Sequence, residues 1–159
     1  MTVSFLRTGN PPASVRIAFW LWAVAIATSI IELAIRFLVD PRGVVEAVSN
    51  SGAELSIRCT AYVLLAVLAT LMLRGSNVAR HLLALIFGCL GTFSLVVEPL
   101  GWIADGGNAA TFLANADGPL WMMILSRSVH VVSVLSGVFF GFRRDADAYF
   151  RPESLASTP

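Results

Sequence analysis

Six ionisable side chains interrupt long apolar runs: Glu32, Arg36, Arg58, Glu98, Arg127 and His130. An unpaired charge in hydrocarbon costs at least about 3 kcal/mol, so such residues turn inward to a partner or line a path for a proton, an ion or a substrate. Glu32 is the candidate for exchanging a proton against a cation, with Arg127 modulating its charge and His130 nearby. Arg36 follows Glu32 by four residues, the favourable order for an ion pair on one helix, and such a neighbour keeps the carboxylate ionised. The alternative use of the same residues is structural, as a buried network of two acids and three bases that selects one arrangement of helices.

Other chemistries find little support. Haem needs axial ligands at a common depth, and His81 opens the third apolar run whereas His130 lies near the middle of the fourth. Cys59 and Cys89 form neither a CxxC pair nor a metal-ligand array and read as buried, unmodified thiols. Ser126, Ser128 and His130 lie close together without an oriented acid partner, which marks them as hydrogen-bonded packing residues. No catalytic residue, metal site or cofactor is expected. A net charge of +1 and the lack of a basic cluster also exclude the electrostatic footprint of a nucleic-acid binder.

The elements that must position these groups are four apolar runs, at about residues 15–39, 55–73, 78–100 and 119–142. Each approaches or exceeds the roughly 20 residues that one helical crossing of a bilayer requires. With 57% hydrophobic and 13% charged residues over 159 positions, the chain is too apolar for an ordinary soluble domain. The expected fold class is therefore all-α: a polytopic membrane protein built as an antiparallel bundle of four transmembrane helices. Residues 1–14 form an N-terminal tail, 15–142 the transmembrane domain and 143–159 a C-terminal tail expected to fray. The first run is too long for a signal-peptide core and ends at Asp40-Pro41. Arg74-Gly75-Ser76-Asn77 is so short a link that the second and third helices must be antiparallel neighbours. Residues 44–48 suit an interfacial helical turn, and Asp105-Gly106-Gly107-Asn108 a turn.

Depth and phase group the charged residues. At about 1.5 Å per residue, Glu32, Arg58, Glu98 and Arg127 all fall roughly 6 to 12 Å from the span midpoints, toward the same side. On the first helix Ala18, Leu21, Ala25, Thr28, Glu32 and Arg36 share a stripe, with Phe19, Ile26, Ile30 and Phe37 opposite. On the fourth, Met123, Arg127, His130, Val134, Gly137 and Gly141 do the same. Ser133, Gly137 and Gly141 make a small-xxx-small series, for which Ala84, Gly88 and Thr92 of the third helix are the expected partners. Trp20, Trp22 and the Phe139-Phe140 face are candidate contact surfaces for lipid or another protein.

Arg7, Arg16, Arg74, Arg80, Arg143, Arg144 and Arg151 flank one side of the spans, against Arg42 on the other, which predicts cytoplasmic N and C termini. Several stretches resemble a group of uncharacterised small four-span membrane proteins of actinobacteria. They are Pro11-Pro12-Ala13-Ser14-Val15 with Ala18-Phe19-Trp20-Leu21-Trp22, Val39-Asp40-Pro41, Ala53-Glu54-Leu55-Ser56, Arg74-Gly75 with Ala79-Arg80, and Asp147-Ala148-Tyr149-Phe150-Arg151. The resemblance implies a multi-pass protein of the bacterial plasma membrane and brings no activity with it. The expected function is that of a non-catalytic accessory or scaffold subunit, in contact with the lipid bilayer and with a membrane-protein partner or further copies of itself. The alternative is a small transporter or channel with its polar site around Glu32, Arg127 and His130.

Overall fold

The computed structural model describes residues 10–151, apart from the side chains of Ser94 and Glu98, and every regular element among them is helical. In chain order these are α1 (Ala13–Leu38), the short α2 (Val44–Asn50), α3 (Gly52–Leu73) and α4 (Asn77–Leu83). A π-helical stretch (Ala84–Gly91) then leads into α5 (Thr92–Ala104), followed by α6 (Ala109–Ala114), α7 (Gly118–Gly141) and α8 (Arg144–Phe150). Four runs are long and apolar enough to cross a membrane: α1, α3, the continuous stretch Asn77–Ala104, and α7. Helices satisfy their own backbone groups, which is what an apolar solvent demands of a spanning segment.

The connections follow from local chemistry. Gly75, at φ 93°, closes α3: its N–H bonds Met72 O at 2.9 Å, and the next N–H, of Ser76, reaches Leu71 O at 3.0 Å. The Ser76 hydroxyl then accepts from Ala79 N–H and opens α4. Asp117 caps α7 through Leu120 N–H at 2.9 Å, with Pro119 in the first turn where its missing donor costs nothing. Between α1 and α2, Arg42 clasps Asp40 with its Nε and Nη2 at 3.0 and 2.9 Å. Hydrogen bonds from the Arg42 side chain hold the Asp40 carboxyl at about 2.

The third long run is not a uniform α-helix. Its wider π turns bring Ile86 O to 3.3 Å from where a Cβ on Gly91 would sit, and the Thr92 hydroxyl donates to Phe87 O five residues back at 3.2 Å. Gly91 and Thr92 together accommodate the wide turn, a feature that the apolar pattern does not encode. Pro99 lies within α5 and removes a further helical donor.

Packing is concentrated at one end. Val15, Ala18, Trp22, Leu68, Met72, Leu83, Phe87 and Val134 belong to a single buried cluster where the start of α1, the end of α3, α4 and the end of α7 meet. Contact partners rise in number along α1 as they fall along α7: Ala18 meets Gly141, Trp22 meets Gly137, and Glu32 meets Arg127. Gly137 and Gly141 thus pack on α1 and not, as their spacing suggests, on the third helix. Of the expected small-residue partners there, Gly88 instead approaches Val138: a Cβ on Gly88 would lie 3.2 Å from Val138 Cγ2. Ser133 is buried, whereas Ala84 and Thr92 are partly exposed. Trp22, expected on a contact surface, is 1% exposed and forms the core; Trp20 and Phe139 do face outward.

The C-terminal segment also departs from expectation. Residues 144–150 do not fray but form α8, which docks Ala146, Tyr149 and Phe150 onto the bundle end. Arg80 anchors it. Counted above as a flanking positive charge, Arg80 is in fact 7% exposed, with Nη1 bonded to Asp147 Oδ1 at 2.6 Å and to Gly141 O at 3.2 Å. Its guanidinium lies 4.4 Å from the Phe142 ring centroid and 4.6 Å from that of Phe150. The Tyr149 hydroxyl completes the dock by donating to Leu73 O at 3.1 Å.

Gly137 provides a test of the α1–α7 contact. A Cβ there would meet ring atoms of Trp22 at 3.2 to 3.4 Å, a few tenths of an ångström too close. In Gly137→Ala this crowding is offset by a helix-propensity gain of about 1 kcal/mol, leaving stability close to wild type. Gly137→Val adds two methyl groups to the same space and should destabilise by about 1–3 kcal/mol, read by unfolding in mild detergent.

Candidate functional site

Beyond Trp22 the seam between α1 and α7 becomes polar. His130 is buried, and its Nδ1 lies 3.0 Å from Ala25 O, 3.1 Å from Ser29 Oγ and 3.4 Å from Thr28 Oγ1. The Ser29 hydroxyl lies 3.0 Å from Ala25 O, and that of Thr28 lies 3.0 Å from Ala25 O and 3.1 Å from Val24 O, so both can donate to the α1 backbone. The Ala25 carbonyl can only accept, so Nδ1 is placed to donate to it. The imidazole also rests against Phe87, at 5.7 Å between centroids. Ser126 donates to Thr28 O at 3.0 Å, and Tyr62 of α3 to Ser29 O at 3.3 Å. Backbone carbonyls of α1 are thereby tied to two other helices.

One turn further along, Arg127 closes on Glu32. Its Nε and Nη2 both reach Oε1, at 2.9 Å each. The two side chains are 33% and 22% exposed, so the pair sits at the edge of the packed interior. Placing either charge alone at this depth is unfavourable, and together they fix the register of α1 against α7.

The remaining charges form a separate group. Arg36 Nη1 lies 2.8 Å from Glu54 Oε1, and Arg58 Nε 2.9 Å from the same atom. All three side chains are more than a third exposed, where ion pairs contribute about 1 kcal/mol or less. The single layer read from depth is thus divided: Glu32 pairs with Arg127, and Arg36 turns to Glu54 on α3 and away from Glu32. Glu54 is the acid absent from the sequence-based set, although its i,i+4 spacing to Arg58 is visible in the sequence. The side chain of Glu98 lies outside the described residues. Cys59 and Cys89, expected to be buried, are exposed on outer faces.

Hydrogen bonding and charge pairing account for the contacts of Glu32, Arg127, His130, Ser126, Ser29 and Thr28. Chemically, the arrangement offers one imidazole nitrogen, one carboxylate and one guanidinium along a single helix seam. Comparison with protein-family models, curated proteins and solved structures returns no match for this chain.

A double-mutant cycle measures what the pair contributes. Glu32→Gln or Arg127→Met should each cost about 2 kcal/mol, below the 3–5 kcal/mol of a fully sealed pair because of the partial exposure. The double variant should recover about 1 kcal/mol of the summed loss in detergent unfolding. Strict additivity would show that the two charges do not interact.

Proposed function

We propose that this chain is a multi-pass protein of a bacterial plasma membrane, folded as an antiparallel four-helix bundle with both termini cytoplasmic. Its role on this reading is that of a non-catalytic accessory or scaffold subunit packing laterally against a larger membrane protein. The observation that carries the reading is α5. None of its described side chains is buried within the chain, while Phe93, Leu100 and Ile103 are half or more exposed. The half of a long apolar run that buries no described side chain within the chain is open to a neighbouring helix, and association in lipid is driven by such lateral contact. Among the described charges within the long helices, Glu32 is paired with Arg127, and Glu54 with Arg36 and Arg58.

The orientation rests on charge. Arg16, Arg74, Arg143 and Arg144 are exposed at the end where α1 begins and α7 finishes, whereas at the opposite end Arg42 is clasped by Asp40, and Arg36 and Arg58 share Glu54. Such a bias retains the basic end in the cytoplasm.

Extraction in mild detergent followed by mass spectrometry should recover a stoichiometric membrane partner, and Phe93→Ala with Leu100→Ala should lower that recovery several-fold without unfolding the chain. A protein that ran only as a homo-oligomer under several extraction conditions would sink the accessory role.

A small transporter or channel is the second reading, favoured by the partial exposure of the Glu32–Arg127 pair one turn from His130. On that reading Glu32→Gln and Arg127→Met, folded and reconstituted in proteoliposomes, lose at least about tenfold in cation-coupled flux, an effect of the size expected for removing a charged group from a polar site. Flux that is unchanged in folded variants removes it.

A further inference from the structure

The π-helical stretch meets α7 closely where Gly88 faces Val138, and an open groove runs along the two elements beside that contact. Ala84, Gly88 and Cys89 form one wall, and Leu135, Val138 and Phe142 the other, so the lining is almost wholly apolar. From Leu135 to Phe142 it extends about 10 Å along α7. At Phe142 it meets a second depression, which shares Val138 and Phe142 and adds Phe139, Arg143, Arg144 and Asp145. The groove therefore leads from hydrocarbon to a mouth of net positive charge at the end of the helix. Asp145 offsets one arginine only in part: its Oδ1 is 3.9 Å from Arg143 Nε, beyond hydrogen-bond range. Arg143 also stands 5.6 Å from the Phe140 ring centroid, which leaves it exposed near the mouth.

The geometry points to a binding site for an anionic phospholipid, with an acyl chain along the groove beside Gly88 and Val138 and the phosphate at Arg143 and Arg144. The order of the surface, apolar channel and then paired guanidinium groups, matches the order of a lipid standing in one leaflet. Arginine forks suit phosphate oxygens, and basic pockets between spanning helices are where anionic headgroups collect. A helix from another protein would cover the apolar wall yet leave the net positive charge of Arg143, Arg144 and Asp145 unmatched unless it carried an acid of its own. The site goes beyond the accessory role and requires only that the chain sits in a membrane.

The test uses the full chain in mild detergent with equimolar phosphatidylglycerol and phosphatidylcholine of identical acyl chains, read by native mass spectrometry. Adducts of the anionic lipid should exceed the zwitterionic ones by about fivefold, the factor for one net basic charge at a membrane surface. Arg143→Gln with Arg144→Gln should bring the ratio close to one. Leu135→Trp, placed on an exposed wall position, should fill the groove and lower anionic adducts several-fold. In a Cys59→Ala background, a photoreactive label on Cys89 should cross-link lipid in vesicles of the same composition. Equal retention of both headgroups by the unaltered chain overturns the site, as does retention insensitive to the substitutions or cross-linking of Cys89 to protein in place of lipid. A chain that failed to enter vesicles would overturn the membrane reading and the site together; one that enters but shows no headgroup preference overturns the site alone.

Discussion

The six-membered ring of the Trp22 indole lies over α7 at Gly137, and it stacks on Phe87 with 5.5 Å between ring centroids. One side chain thereby sets the distance of α1 from two other long helices. In lipid, where helices gain little from hiding apolar surface, such close steric fit is a main source of association. The polar contacts farther along depend on it. His130 reaches the carbonyl of Ala25, Ser126 that of Thr28, and Arg127 the carboxylate of Glu32 only because α1 and α7 are already held close.

The molecule is uneven along its length. At the end where α1 begins, apolar packing, the Arg80 anchor and α8 produce a buried core. Toward the other end the buried apolar side chains are few, Leu33, Ile35 and Ala47, beside the hydrogen bonds and ion pairs, and α5 and α6 contribute no buried residue among the described side chains. Such a division gives the third long run two roles: α4 and the π-helical stretch belong to the bundle, whereas α5 presents its apolar side chains outward.

The four long helices are legible in the sequence because hydrophobic length alone requires them, and the observed helices begin and end close to residues 15, 39, 55, 73, 78, 119 and 142. Neighbour relations are less legible. Helical phase identified the stripe that carries Ala18, Ala25, Thr28 and Glu32, but a stripe does not name its partner, and Gly137 and Gly141 fit the third helix by spacing as well as they fit α1. Trp22 reads as a contact surface for lipid or another protein because its burial depends on a glycine 115 positions away. Arg80 looked like a topology signal because a charge beside an apolar run is usually solvated; only the folded position of Asp147 makes it an interior residue. The π-helical stretch was hidden for a different reason, since the widening of a turn leaves the hydrophobic pattern of the run unchanged.

Arg80 has one more consequence, for the order in which the chain can mature. It belongs to the third long run, yet both its acceptors, Gly141 O and Asp147, and both its aromatic neighbours, Phe142 and Phe150, belong to residues 141–150. During synthesis from the N terminus, those partners are made with the last residue of α7 and after it. Until they arrive, Arg80 lacks the partners that surround it in the folded chain. Its withdrawal into the protein therefore marks completion of the last helix, and links a residue in the middle of the chain to the moment at which the whole bundle exists.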